Sequence, residues 1–433
     1  MSMTKTKTFP DYQQTSGWNA LLPAREASPS LQKDLASDVL IIGAGWTGIA
    51  AAKRWQSLSP ETNIVLIDAS EIGEGNPGRN SGFLLEIALA EDANPDQLEK
   101  MNICNRLTAA TMADILAEIE GSGLPVDISK AGTYRAAASE TGLRSLNNYR
   151  AFLNSAGLEF QSLDRAALNS RIGSEFYQEG IYSPNCYLAQ PAAAIRALAS
   201  NLPESVQQFE NTPATRLTRC ASGWQVLTPN GTITTHKLVL ANNAFSKELG
   251  IARSRLAAMY TYAGLTPVLE KSVLDDLGSE SNWGLLPTHR LGSTLRQTKD
   301  GRLMLRAMHG YEKEAPRSEI ETGLKIRLQK RFPQLPSFEL EHCWGGAVGF
   351  TYNGGTVWGE FKPGLFVSAG CNGGGTVKGT LLGKLLAEAA HGLKVPDVPE
   401  LFGRASWMPP EPVRRIGFKL SSTIESHQGR HEL

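Results

Sequence analysis

Three glycines within six residues, Gly43, Gly45 and Gly48, stand between a short apolar run at 39–42 and an alanine-rich helical pattern at 49–55. The order strand, glycine turn, helix gives each glycine a separate task. Gly43 allows the tight turn, Gly45 lets a pyrophosphate approach the main chain, and Gly48 lets helix and strand pack closely. The unpaired N–H groups at the helix start then face the anion. A second apolar run at 64–67 ends in Asp68, 20 residues beyond Gly48, where a carboxylate accepts from ribose hydroxyls. An acid at that point repels a 2′-phosphate, so a dinucleotide other than NADP is expected.

Further elements must hold this unit in place. Residues 1–36 are polar and proline-bearing, with Trp18, Leu21 and Leu22 as apolar anchors, and read as an arm over the fold. The loop "EIGEGNPGRNSGFLLE" follows the second strand and is too polar for a core element. Apolar spacing predicts helices over 98–119, 140–156 and 318–331, and a helix opening with Pro191 in its first turn. Strand patterns begin at Ser205, with a hairpin turn marked by Asn230-Gly231. The closing stretch "GLFVSAGCNGGGTVKGTLLGKLLAEAAHG" repeats the opening order of buried strand, glycine-rich turn and helix.

The 433 residues suffice for two domains. The 43 basic and 43 acidic side chains cancel, which supplies no long-range attraction for nucleic acid or an anionic membrane. A small molecule recognised locally is the better expectation. Five scattered cysteines, with no C-x-x-C pair, suggest neither zinc nor a disulfide framework. The absence of a signal-type apolar core and of a bilayer-length apolar run leads to the expectation of a soluble cytoplasmic protein.

Together, "GAGWTG" with Asp68, "NPGRNSGF" at 76–83, "LVLANNAF" at 238–245 and "AGCNGGGT" at 369–376 resemble the D-amino acid oxidase type of FAD-dependent oxidoreductases, which includes glycine and sarcosine oxidases. "TSGWNALLPAR" before the first strand and "GRNSG" after the second resemble the gamma-glutamylputrescine oxidoreductase branch in particular. The resemblance implies an α/β chain. A Rossmann-like FAD-binding domain of the glutathione reductase type would be built from 37–95, 190–250 and 340–395. A second, α+β substrate domain on a mixed antiparallel sheet would comprise 96–189 and 251–339, with 396–433 as a C-terminal tail. Asn242 and Asn243 stand where the family often has Thr and Gly, a change expected to matter little because that contact is mostly main chain. Gly374 stands where the branch usually has His. Cys371 lies in the loop used for covalent attachment elsewhere but has different neighbours, so noncovalent FAD is expected.

By the same resemblance, Gly43, Gly45, Trp46, Thr47 and Gly48 form the pyrophosphate and ribose loop, with Asp68 and Ala69 at the adenosine ribose. Arg79, Asn80, Ser81 and Gly82 run from the pyrophosphate towards the isoalloxazine, the guanidinium matching diphosphate oxygens. Ala214, Ala241 and Asn242 supply main-chain contacts. Gly370, Asn372, Gly373, Gly374, Gly375 and Thr376 lie against the pyrimidine side, where the helix from about 377 turns its positive end towards O2 of the ring. No catalytic acid or base is evident. Tyr260, Tyr262, Trp283, Trp344 and Tyr352 are candidates for lining the site of an amine, each with a core position as the alternative. Arg290, Arg296, Arg306 and His309 are candidates for a carboxylate. The expected reaction is oxidation of an amine C–N bond, as in a gamma-glutamyl polyamine, to an imine that water opens to an aldehyde. A D-amino acid or glycine oxidase or dehydrogenase is the first alternative, and a flavoprotein subunit working with a partner chain the second. The electron acceptor, O2 or another, and the oligomeric state stay open.

Overall fold

Five parallel strands form the heart of the first sheet, in the order Leu365–Ala369, Gly231–Leu240, Leu35–Ile42, Ile64–Ile67, Val206–Phe209. The computed structural model describes residues 7–85 and 97–433. The expected domain boundary at residue 95 therefore lies outside the described residues. Residues 39–42 and 64–67 are buried on both faces, as their unbroken apolar character requires. On one face pack the helices Trp46–Leu58, Val377–Ala390 and Leu98–Gly121, through Ile49, Trp55, Ile115 and Leu386. The opposite face buries Leu40, Ile42, Val65 and Trp224. Gly379 and Gly383 let Val377–Ala390 press directly on Trp46–Leu58, since a Cβ at Gly383 would stand 2.1 Å from the Thr47 carbonyl oxygen.

The strand-patterned stretch that begins at Ser205 opens with two strands on different parts of this sheet. Val206–Phe209 continues the parallel order, whereas Arg216–Cys220 pairs antiparallel with Gly223–Thr228. The hairpin loop is Pro229-Asn230, one residue earlier than expected, because Gly231 already pairs with Thr228.

The second sheet is mixed and mostly antiparallel, in the order His342–Phe350, Ala257–Leu265, Leu303–Tyr311, Thr294–Gln297, Gly284–Pro287, Thr133–Ala137, Glu179–Ser183, Gln161–Asp164. His342–Phe350, placed by sequence with the nucleotide-binding part, is hydrogen-bonded along its length to Ala257–Leu265 and belongs to this sheet. Apolarity alone does not say which sheet a strand will join. A three-stranded sheet of Phe83–Leu85, Cys186–Ala189 and Ile128–Ser129 lies apart from both. The stretch read as a tail contains a 16-residue helix, Val413–Gln428. In the arm, Trp18 is buried edge-on against Trp344 and Leu22 packs beside them, whereas Leu21 is exposed.

Candidate active site

A cavity of about 2410 Å³ runs between the two large sheets. Single-ligand sites occupy about 300–1,000 Å³, so it has room for a dinucleotide and a second molecule. One end is the glycine turn. Gly43, at φ +105°, makes a bend that L side chains rarely adopt, and Gly48 is packed so closely that a Cβ there would lie 1.8 Å from the Gly43 carbonyl oxygen. Gly43, Gly45, Trp46 and Thr47 line the cavity, while Gly48 lies behind it. Helix Trp46–Leu58 opens on Gly45 with no side chain capping it, so its first N–H groups face the cavity without a side-chain acceptor. The Trp46 indole N–H is buried and has no hydrogen-bond acceptor in the structure.

Asp68 lines the same end beside Ala69, and its carboxylate accepts from Ala44 N–H at 2.8 Å and from Ser70 N–H at 3.0 Å. Burial raises the Asp68 carboxyl above the usual aspartate value, against the pull of these donors. Ala214, Ala241 and Asn242 also line the cavity.

The loop after Asp68 differs from expectation. Arg79, Asn80 and Ser81 line the cavity, but Gly82 does not; its φ of +80° lets it sit where a Cβ would come 2.2 Å from the Ala189 carbonyl oxygen. The Arg79 guanidinium lies 3.7 Å over the Tyr12 ring, with Nε donating to the Glu74 carbonyl at 2.6 Å and Nη1 to the Gly345 carbonyl at 2.9 Å. Arg79 is thus fixed in the cavity wall by the carbonyls of Glu74 and Gly345 and by the Tyr12 ring of the N-terminal arm. Tyr12 was missed by sequence reasoning because nothing local distinguishes a tyrosine in a polar arm.

At the far side of the turn, Gly370, Asn372, Gly373, Gly374, Gly375 and Thr376 all line the cavity, and Val377–Ala390 starts there without a side-chain cap. Two uncapped helix starts thus meet one cavity. The loop is held by two asparagines in the left-handed region, Asn243 and Asn372. Asn243 Oδ1 accepts from Gly370 N–H at 3.0 Å and Cys371 N–H at 3.4 Å, and its Nδ2 donates to Cys371 Sγ at 3.1 Å. Asn372 Oδ1 accepts from Thr351 N–H at 2.8 Å. The side chain of Asn243 is therefore a fastener, contrary to the expectation that its identity matters little. Asn243→Ala leaves two loop N–H groups unpaired and should cost about 1–3 kcal/mol, read as a lowered holoprotein melting temperature. Asn243→Asp, which keeps the acceptor, should recover most of it; equal melting of the Ala variant and the parent would remove this role.

A scan of family models matches residues 38–389 to the DAO family, described as FAD dependent oxidoreductase. The chain belongs to this family. It is 26% identical over 407 residues to "Probable oxidoreductase OrdL" of Rhizobium meliloti, covering 89% of this chain and 92% of that protein. It is 24% identical over 383 residues to the gamma-glutamylputrescine oxidoreductase of Escherichia coli, covering 84% and 85%. Among solved structures, glycine oxidase from Geobacillus kaustophilus superposes with a TM-score of 0.72 at 18% identity, covering 87% of this chain and 100% of that one. FAD is the cofactor of this oxidoreductase. The two uncapped helix starts, the glycine turn, Asp68 and the unpartnered Trp46 N–H suit a flavin dinucleotide. Among the described residues no group of acids, histidines and cysteines suits a metal ion, and no helix is long and apolar enough to cross a membrane.

The substrate side of this flavoenzyme separates the aromatic candidates. Along Ala257–Leu265 the alternate residues Ala257, Met259 and Thr261 face the cavity. Strand alternation therefore turns Tyr260 and Tyr262 the other way, into the core of the second sheet. The Tyr262 hydroxyl accepts from Ala315 N–H at 2.8 Å, and burial raises it to about 12. Trp283 is buried against Phe332, and Trp344 donates its indole N–H to the Arg79 carbonyl at 3.1 Å. Of the five aromatic candidates only Tyr352, 76% exposed, reaches the cavity, at its rim. Arg290, Arg306 and His309 line the cavity. Arg296 does not: it is buried, lies over Trp18, and donates to the Ala189 carbonyl at 2.5 Å. Burial lowers its guanidinium to about 10.

Proposed function

We propose that this enzyme oxidises the C–N bond of a small amine bearing a carboxylate at a distance, a gamma-glutamyl amine being the best fit. The observation that carries the proposal is the composition of the compartment continuous with the flavin end of the cavity. Arg290 and Arg306 offer cationic groups for a carboxylate in the cavity wall, and Tyr311 and Phe418, stacked on each other, line the same cavity. The similarity to the Escherichia coli gamma-glutamylputrescine oxidoreductase supports the same substrate class. Bound FAD supplies the two-electron acceptor, and water then opens the imine product to an aldehyde. The protein holds the cofactor with the glycine turn and Asp68, and brings the neutral amine into line from the second sheet, where orientation carries most of the rate.

The reacting amine must be neutral. His309 is held below its usual value by burial and by the charge of Arg327, so it is already uncharged at neutral pH and adds no ionisation above it. With a simple alkylamine at limiting concentration, the rate of anaerobic flavin reduction should therefore rise from neutral pH upward along one ionisation, that of the reacting amine. Rapid mixing with matched gamma-glutamyl amines, simple alkylamines and α-amino acids tests both parts. Preference for the gamma-glutamyl amine with a rising profile is the expected result. Preference for α-amino acids would favour an amino acid oxidase or dehydrogenase, and no bleaching by any amine would favour a flavoprotein subunit acting with a partner chain. Repeating the turnover with O2 and with a quinone identifies the acceptor.

A further inference from the structure

Helix Val413–Gln428 lies beyond residues 38–389, the part matched by the family model, and it returns to the mouth of the cavity. It is held at its two ends. In its first turn, Arg414 donates to the carbonyls of Arg253 and Leu256, both at 3.0 Å, and to that of Pro409 at 2.9 Å. After it, Glu432 is buried and accepts from Ala138 N–H at 2.9 Å and the Ser139 hydroxyl at 2.6 Å. Arg331 donates to the Glu432 carbonyl at 2.7 Å. Between these anchors no residue of the helix is buried. It is a beam across the opening rather than a core element.

The face it turns to the cavity is specific. Phe418 stacks on Tyr311 at 4.9 Å and meets His309 edge-on at 5.7 Å. Ser422 Oγ is 2.8 Å from His309 Nε2. Glu425, one turn further on, stands 3.3 Å from Nε2 of the buried His289. His289 Nδ1 accepts from Leu291 N–H at 3.2 Å, so Nε2 carries the proton and points it at Glu425. Gly429 keeps the chain close to this histidine, since a Cβ there would lie 2.2 Å from the ring. Glu425 is thus an acid set in the cavity wall, with its orientation fixed by Nε2 of His289.

We propose that this helix is the substrate-selecting wall of the enzyme, with Glu425 receiving an ammonium group at the end of the substrate distal to the oxidised C–N bond. The inference rests on the amine-oxidation reading above and adds its distal-end chemistry: a carboxylate and an ammonium on one carbon, met by an arginine from the second sheet and a carboxylate from the C-terminal helix.

Two readouts separate the two ideas. Binding of gamma-glutamyl methylamide and of glutaryl methylamide, which lacks only the α-ammonium, is measured by calorimetry on holoenzyme. Flavin reduction is measured with the corresponding aminobutyl amides. The parent should prefer the ammonium-bearing ligand roughly 10-fold to 100-fold in Kd and in KM. Glu425→Gln should bring that ratio close to one with kcat little changed, and Lys419→Gln, on the solvent side, should leave it as it was. Equal affinity of the parent for both amides, or an unchanged ratio in Glu425→Gln, overturns the role of Glu425 while amine oxidation stands. Glu425-dependent binding without flavin reduction by any amine overturns amine oxidation and leaves the distal-end site.

Discussion

Gly48→Val should yield no folded holoprotein, whereas Gly45→Val should fold and lose FAD. The two glycines belong to one motif but meet different neighbours. A Cβ at Gly48 would stand 1.8 Å from the Gly43 carbonyl oxygen and 3.3 Å from the Ala241 Cβ. The first contact is to backbone, and no choice of rotamer relieves it. Helix Trp46–Leu58 would have to leave the sheet, and with it the core built on Ile49 and Trp55. Overpacking with some room to relax costs about 1–3 kcal/mol, and this site has less room than that. At Gly45 the backbone is extended, at φ −88° and ψ −174°, and the nearest group is the Pro77 ring at 3.1 Å. Valine is accommodated there by a small shift, but its methyl groups occupy cavity space at the helix start. Far-ultraviolet circular dichroism, thermal melting and the ratio of flavin to protein absorbance distinguish the two outcomes. A flavin-loaded Gly45→Val, or a normally melting Gly48→Val, would contradict the assignment of roles.

Asp68→Ala should weaken FAD binding roughly 10-fold to 100-fold, the equivalent of losing one charged acceptor of about 1.5–3 kcal/mol. The pH dependence has two opposed signs. Burial raises the Asp68 carboxyl, so the apoprotein takes up a proton here at a pH where the unfolded chain does not. This group alone therefore stabilises the apo fold at low pH, and the contribution is lost as pH rises through the folded value. FAD retention runs the other way, because ribose hydroxyls donate to the ionised carboxylate and affinity falls as pH drops through the same raised value. Fluorescence titration of apoprotein with FAD from neutral pH downward should show this fall in the parent and not in Asp68→Ala. Identical curves for the two proteins would remove Asp68 from the site.

The parts legible in the sequence are those in which the chemistry is local. A glycine turn between a buried strand and a helix is written in consecutive residues, and Asp68 follows because a strand of fixed length ends there. The second glycine-rich turn, 370–376, is readable for the same reason. Helices Glu140–Ser155 and Arg317–Arg331 fall within a residue of their apolar spacing. What lies across the cavity could not be read this way. Whether Tyr260 or Thr261 faces the substrate depends on which side of Ala257–Leu265 the other sheet packs, a fact of tertiary assembly. Arg79 was matched to phosphate by its chemistry, but the arm brings Tyr12 to it from 67 residues away. His342–Phe350 joins the second sheet because its partner, Ala257–Leu265, offers an open edge there. For the C-terminal helix, Val413, Ile416, Leu420 and Ile424 are spaced for an amphipathic helix and are all exposed, so their period reveals the helix without its address. Its address comes from Glu432 and Arg414, whose partners lie 293 and 158 residues earlier at Ser139 and Leu256. Sequence alone thus determined the cofactor class, through hydrogen bonds and turns made among neighbours. Only the tertiary structure decided which side chains meet the substrate, because long-range packing sets the face each strand presents and the wall that closes the cavity.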